Sequence, residues 1–96
     1  MNIEVRFFGG VSQATGYVEK TKIEFQGATL GDLLQHIMTT WPGIKDFIEG
    51  AHSSTIVLAL NEKALEPPDP EMELHDGDKL AIMPLVAGGL FPNLIV

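Results

Sequence analysis

The stretch TLGDLLQHIMTTW at residues 29–41 decides the fold, because it carries the strongest helical pattern in the chain. Thr29 can cap the helix by accepting a hydrogen bond from a free backbone N–H, and Asp32 suits the positive end of the helix dipole. Pro42-Gly43 ends the helix. The apolar side chains recur at i, i+3, i+4, i+7, i+8 and i+11 and form one stripe: Leu30, Leu33, Leu34, Ile37, Met38 and Trp41. The stripe predicts an amphipathic helix that packs this face on a sheet.

The strand patterns lie on both sides of this helix. A continuous apolar run at residues 56–60 predicts a central strand covered on both faces, and Asn61-Glu62 predicts a tight turn after it. Alternating or continuous apolar patterns predict strands at residues 3–7, 20–25, 56–60, 63–65 and 79–85.

The order of these elements predicts an α+β roll. We expect a mixed sheet of four to five strands with one main helix packed on one face. The first and last strands could lie side by side and parallel at the centre of the sheet, so that the C-terminal tail projects from its middle. Gly9-Gly10 and Gly16 mark a loop after the first strand, and the prolines of residues 67–70 predict a surface loop. Residues 44–48 repeat the helical spacing over about one more turn.

The bulk composition limits the function classes. The 96 residues suffice for one domain, and the absence of cysteine excludes disulfides, thiolate metal sites and cysteine nucleophiles. The net charge of -7 argues against a nucleic acid or an anionic membrane as the main partner, and it suits either a basic protein surface or simple solubility. The N-terminus alternates like a strand rather than a signal peptide, and no apolar run approaches the roughly 20 residues of a membrane helix. We therefore expect a cytoplasmic protein.

The three histidines do not form a catalytic or metal-binding motif. His36 falls on the helix face opposite the apolar stripe, where a solvated side chain is expected. His52 precedes two serines, but neighbours in sequence rarely have triad geometry, and no nucleophile motif accompanies them. His75 begins a turn that lacks the remaining ligands of a calcium loop. We expect neither a metal site nor nucleophilic catalysis.

Two surface features could contact a partner. Phe8 lies on the otherwise polar side of the first strand, where it either joins an apolar contact patch or is covered by a loop. The second feature is an acidic cluster that is either a solvated loop or a docking patch for a basic partner: Glu66, Asp69, Glu71, Glu73, Asp76 and Asp78.

The glycine pair Gly9-Gly10 lacks the phosphate-loop pattern, so the geometry of a turn explains it better.

A diglycine follows the last predicted strand, in the stretch Leu85-Val86-Ala87-Gly88-Gly89. Two adjacent glycines leave a thin tail with no side chain to obstruct its entry into a narrow site. Such a tail suits a protein whose own terminal carboxyl is the reactive group. Here the chain continues with the apolar segment Leu90–Val96, so the carboxyl of Gly89 is blocked until that segment is removed.

Five short segments are spread along the chain: VRFF at residues 5–8, TLGDLL at 29–34, LNEK at 60–63, LHDGDKL at 74–80 and PLVAGG at 84–89. In their order and spacing, these segments resemble the MoaD/ThiS sulfur carriers, a family of ubiquitin-like β-grasp proteins, and most of all the molybdopterin synthase small subunits in that family. The resemblance covers nearly the whole domain.

The resemblance implies a carrier cycle in which the chain itself is not an enzyme. An E1-like partner uses ATP to adenylate the carboxyl of Gly89, and a sulfur donor converts the adenylate to a thiocarboxylate; the carrier binds no permanent cofactor. The sulfur then passes to molybdopterin synthesis in the large subunit of molybdopterin synthase, or to another acceptor. Gly88 lets the tail pass through a partner's channel. Contacts with the partner are expected at Phe8, Leu85, Val86 and Ala87.

The extension is a departure from the family pattern, because the usual chain stops at the second glycine. We expect residues 1–89 to form the carrier domain and a peptidase to remove residues 90–96. If the extension is retained, its side chains would bury against this domain or a partner, and the chain would be a non-conjugated interaction module. The same tail would also suit sulfur delivery to thiamin or amino-acid synthesis, or ubiquitin-like modification of a target protein.

Overall fold

Within residues 1–50 and 55–84, which the computed structural model describes, five strands form one mixed sheet in the order β2-β1-β5-β3-β4. β1 and β5 are parallel neighbours at the centre, and every other pair is antiparallel. The predicted α+β roll and its central parallel pair are confirmed. The strands are β1 (Asn2–Phe7), β2 (Lys20–Glu24), β3 (Ile56–Leu60), β4 (Lys63–Ala64) and β5 (Lys79–Pro84).

The main helix, α2 (Leu30–Thr40), begins at a reciprocal cap. The backbone N–H of Asp32 donates to the Thr29 hydroxyl at 3.2 Å, and the N–H of Thr29 donates to the Asp32 carboxylate at 3.2 Å. The N–H of Ala28 donates to the same carboxylate at 3.0 Å. The prediction of Thr29 as the cap is confirmed, and Asp32 does more than complement the dipole because it satisfies two further backbone donors.

The apolar stripe of α2 faces the sheet, but its members are not equally buried. Leu30, Leu33 and Ile37 are fully buried in the main core, whereas Leu34 and Trp41 are only half-buried. Trp41 packs edge-on against Phe7, with the ring centroids 5.3 Å apart. The stripe is therefore wider than the contact between helix and sheet, and its Leu34 edge remains open.

The predicted loop after β1 contains a short helix, α1 (Gly10–Ala14), so the expectation of a plain loop is wrong. The helix forms because Val11 is buried in the core, and one turn of helix brings it there. Gly9 precedes the helix with a φ of 59°, and Gly16 follows it with a φ of 74°. Both glycines thus take left-handed backbone conformations that other residues adopt with strain.

The remaining segments complete the frame around the sheet. A 3-10 turn (Pro42–Ile44) and the short helix α3 (Lys45–Ile48) follow α2, as the repeated helical spacing predicts. The turn between β3 and β4 places Asn61 at φ 50° and Glu62 at φ 71°, which is the left-handed pair of a type I′ hairpin. Within residues 1–50 and 55–84, no helix is long and apolar enough to cross a membrane.

Candidate functional site

The predicted attachment residues Gly88 and Gly89 lie outside the described residues, as do the predicted contact residues 85–87. The structure does define the point from which they leave the domain. β5 ends at Pro84 and lies between β1 and β3, so both of its edges are hydrogen-bonded. A segment that follows Pro84 is therefore anchored to the middle of the sheet rather than to a frayed edge.

The end of β5 is fixed by contacts from both neighbours. Pro84 pairs with Ile56 across the antiparallel ladder, and the N–H of Phe8 donates to the carbonyl of Ile82 at 3.0 Å. Gly9 lies directly against the proline, because a Cβ at this position would stand 3.0 Å from Cγ of Pro84. The first glycine of Gly9-Gly10 thus combines a left-handed φ with a close approach to the base of the tail. Sequence reasoning identified the turn but missed this contact, since no local pattern signals it.

Phe8 is exposed at the same end of the sheet. The residue is 37% accessible, whereas the preceding Phe7 is buried in the core. Within the described parts of the chain, no loop covers Phe8. A partner could therefore contact its ring. The ring borders a shallow depression of about 320 Å³ that is also lined by Arg6, Ser12 and Lys20.

The sheet face that does not contact α2 has an apolar half and a charged half. On β3 and β5, Val57, Ala59 and Met83 form a small second cluster, each at most 8% exposed. On β1 and β2 the face carries charged side chains such as those of Arg6 and Glu4, which form an ion pair at 3.2 Å. The parallel register of β1 with β5 ends at Phe7 and Ile82, and its continuation by one residue places Phe8 beside Met83, at the boundary of the two halves and next to the base of the tail.

The acidic cluster serves the turns of its own segment. Asp69 accepts the N–H of Glu71 at 2.9 Å, and Asp78 accepts the N–H of His75 at 2.8 Å. Asp76 accepts the N–H of Asn2 at 2.6 Å, which ties this segment to β1. Since three of the six carboxylates bond to backbone donors, the cluster is in large part structural, and the loop interpretation explains it without a partner.

The histidines have ordinary surroundings where the structure describes them. His36 is half-buried with its ring 6.2 Å from that of Phe25, so it is less solvated than its place on the helix predicts. His75 is exposed and lies 3.6 Å from Glu73 and 3.9 Å from Asp78. His52 lies outside the described residues. Across residues 1–50 and 55–84, no three side chains are grouped as metal ligands.

One carboxyl group has a perturbed pKa, and its cause is structural. Hydrogen bonds from the backbone N–H groups of Ala28 and Thr29 stabilise the ionised form of Asp32 and lower its pKa from 3.8. The shift therefore belongs to the helix cap and not to a reactive centre.

The fold and this tail base define a class of protein. A mixed sheet with one main helix on one face, and with the last strand at its centre, is the ubiquitin-like β-grasp arrangement. The chain belongs to the ThiS family, whose sequence model matches residues 5–89. This match covers all of the described strands except the first residues of β1, and it reaches the second glycine of the tail.

Individual proteins agree with this family. The chain is 35% identical to the molybdopterin synthase sulfur carrier subunit of Chlamydomonas reinhardtii, over 93% of this chain and 100% of the relative. It is similar to a chain in the complex of subunits 1 and 2 of the molybdopterin-converting factor from Helicobacter pylori, with 28% identity, a TM-score of 0.63 and coverage of 93% and 100%. The small archaeal modifier protein 1 of Methanosarcina acetivorans has a TM-score of 0.73 at 22% identity, with coverage of 92% and 96%. This last likeness supports the fold alone.

Proposed function

We propose that this chain is a sulfur carrier of the molybdopterin synthase type, with Gly89 as the residue that bears the sulfur. The observation that carries the proposal is the family match over residues 5–89, which reaches the diglycine directly after the central strand β5. The names of the Chlamydomonas and Helicobacter relatives support molybdopterin synthesis as the pathway. In this function the chain transports a reactive group and leaves catalysis to its partners.

The chemistry requires activation of a carboxylate, because a carboxylate is a poor electrophile. In the proposed cycle, an E1-like enzyme lets an oxygen of the Gly89 carboxylate attack the α-phosphorus of ATP, which releases pyrophosphate and leaves an acyl adenylate. A sulfur nucleophile such as hydrosulfide then attacks the carbonyl carbon, expels AMP, loses its proton and leaves a thiocarboxylate. The sulfur comes from a donor, so the absence of cysteine from the chain is no obstacle.

The fold suits delivery into a partner's cleft. Residues 85–89 can span about 16 Å when extended, at about 3.3 Å per residue. The terminal glycine can thus enter a recessed site while the globular domain remains outside. β5 lies in the middle of the sheet, so the point at Pro84 where the chain leaves it is fixed to the whole domain.

The proposed docking surface adjoins the base of the tail. Phe8 is exposed beside Met83, and a partner that covers Phe8 would also lie over the point where the chain leaves Pro84. Contact with Phe8 would then orient the tail toward the partner's site. The partners proposed are the E1-like enzyme and the large subunit of molybdopterin synthase.

Maturation is part of the proposal, because the peptide bond to Leu90 blocks the carboxyl of Gly89. A peptidase that cleaves after Gly89 would produce the carrier in active form. The test compares three purified chains with an E1-like enzyme, ATP and a sulfur source: residues 1–96, residues 1–89 and residues 1–88. We expect ATP-dependent pyrophosphate release and a thiocarboxylate, detected by intact mass, with the chain that ends at Gly89, and neither with the full chain.

The chain that ends at Gly88 controls for the exact length of the tail. It retains a terminal glycine carboxyl but is one residue shorter, and it should react far more slowly if the partner's site is matched to Gly89. A chain of residues 1–89 that is never adenylated, while the enzyme adenylates a carrier known to be its substrate, would refute the proposal.

A further inference from the structure

An open apolar groove lies on the helix side of the sheet, away from Phe8. It has a volume of about 590 Å³, within the range of about 300–1,000 Å³ that is usual for ligand sites. Its floor is formed by buried side chains of α2 and β3, including Met38 and Leu58. Half-buried side chains such as Leu34, Ile48 and Leu65 form its lips. The groove thus follows the open Leu34 edge of the α2 stripe.

The far wall of the groove is fixed to the helix. It consists of the prolines of residues 66–70, and the N-terminus of α2 holds this wall by backbone hydrogen bonds. The N–H of Gly31 donates to the carbonyl of Pro70 at 2.8 Å, and the N–H of Leu30 donates to that of Met72 at 2.9 Å. A Cβ at position 31 would stand 3.0 Å from the Pro70 oxygen, so glycine permits this close approach. The groove is therefore preformed, which reduces the entropic cost of filling it.

The groove also adjoins the base of the tail. Ile56 lines the groove and is the residue that pairs with Pro84 in the sheet. Paired residues on antiparallel strands have Cα atoms about 5 Å apart, so the segment that follows Pro84 starts at the groove's mouth. Residues 85–89 are enough for a chain reversal.

We propose that, before processing, the segment Leu90–Val96 folds back and occupies this groove. Its seven residues can extend over about 23 Å, whereas the part of α2 that lines the groove, from Leu30 to Met38, is about 12 Å long. Length is therefore sufficient. The segment carries no charged side chain, so it can lie against the apolar lips without placing a charge there.

The half-exposed lips of the groove offer apolar area that a covering segment would bury. A tethered segment also binds at an effective concentration of roughly millimolar, so even weak affinity suffices for occupancy. This proposal is independent of the sulfur chemistry.

A spin label on the tail tests the location directly. The chain has no cysteine, so Asn93→Cys in the full chain gives a single labelling site. We expect the label to broaden the amide resonances of Gly31 and Gln35, which line the groove. Broadening near Pro84 is uninformative because the tail starts there. Broadening at Lys22 on the opposite face instead, or none beyond the neighbours of Pro84, would overturn the proposal.

A second experiment uses amide chemical shifts and neutral tail variants. All described helices and strands precede residue 85, so these substitutions lie outside them. In the full chain, Leu94→Asn should move the groove resonances toward their positions in a chain ending at Gly89, whereas Asn93→Gln should leave them unchanged. Groove resonances that coincide in the full and shortened chains would show that the tail is not there, and would leave the groove to another protein.

Discussion

Leu33→Ala, compared with Leu34→Ala, tests how α2 packs on the sheet. Leu33 is 0% exposed within the main core, and its neighbour Leu34 is only half-buried at the groove. Removing a fully buried leucine side chain loses its transfer free energy and leaves a cavity, which together cost about 2–5 kcal/mol. The Leu34→Ala substitution should lower the free energy of unfolding by about 1 kcal/mol, because only roughly half of the side chain's transfer free energy is lost and little cavity forms.

Urea unfolding followed by tryptophan emission provides the assay. Trp41 packs against Phe7 at a centroid distance of 5.3 Å, so its emission should report loss of the core. Chains ending at Gly89 should be used, so that contacts of residues 90–96 with Leu34 do not contribute. The free energy of unfolding should fall more for Leu33→Ala than for Leu34→Ala, by at least about 1 kcal/mol. Equal losses, or a larger loss for Leu34→Ala, would refute the observed placement of the helix.

Three further predictions concern the cap and the docking surface. Thr29→Ala should lower the free energy of unfolding by about 0.5–2 kcal/mol in the same assay, and Thr29→Ser should restore most of it, because the hydroxyl accepts from Asp32. Hydrogen bonds from Ala28 and Thr29 lower the pKa of Asp32 from 3.8, so its contribution to stability is present above that pH and is lost as the pH falls through the lowered pKa. Asp32→Asn should therefore flatten the acid part of a stability–pH profile, and a profile parallel to that of the wild type would contradict this reasoning. Phe8→Ala should weaken binding to the large subunit of molybdopterin synthase by about tenfold or more in calorimetry, while the exposed control Tyr17→Ala should not, and equal effects would contradict a specific role for Phe8.

The sequence predicts most of the fold because its patterns are local and strong. The stripe from Leu30 to Trp41 identifies α2, and Thr29 identifies its start. The continuous run at residues 56–60 predicts a strand covered on both faces, and its three central residues are indeed buried. Each of these features follows from the periodicity of apolar residues along the chain. That periodicity does not depend on contacts with distant segments.

The features that sequence reasoning missed depend on contacts between distant segments. α1 forms because Val11 reaches the core, and Leu34 stays half-exposed because the loop of residues 66–70 stands away from it across the groove. The approach of Gly9 to Pro84 joins residues from opposite ends of the chain, so no motif could reveal it. Of the candidate site, Phe8 lies where its strand pattern predicts, while the roles of Gly88 and Gly89 stay predictions.

The intact mass of the protein isolated from its own cells tests the carrier function most directly. We predict a species that ends at Gly89, and a fraction of it in which one sulfur replaces one oxygen of the terminal carboxyl. Treatment with a thiol-alkylating reagent should shift that fraction alone, because the chain has no cysteine. A population that consists entirely of chains retaining Leu90–Val96, under conditions in which the cells make molybdopterin, would contradict the proposed function.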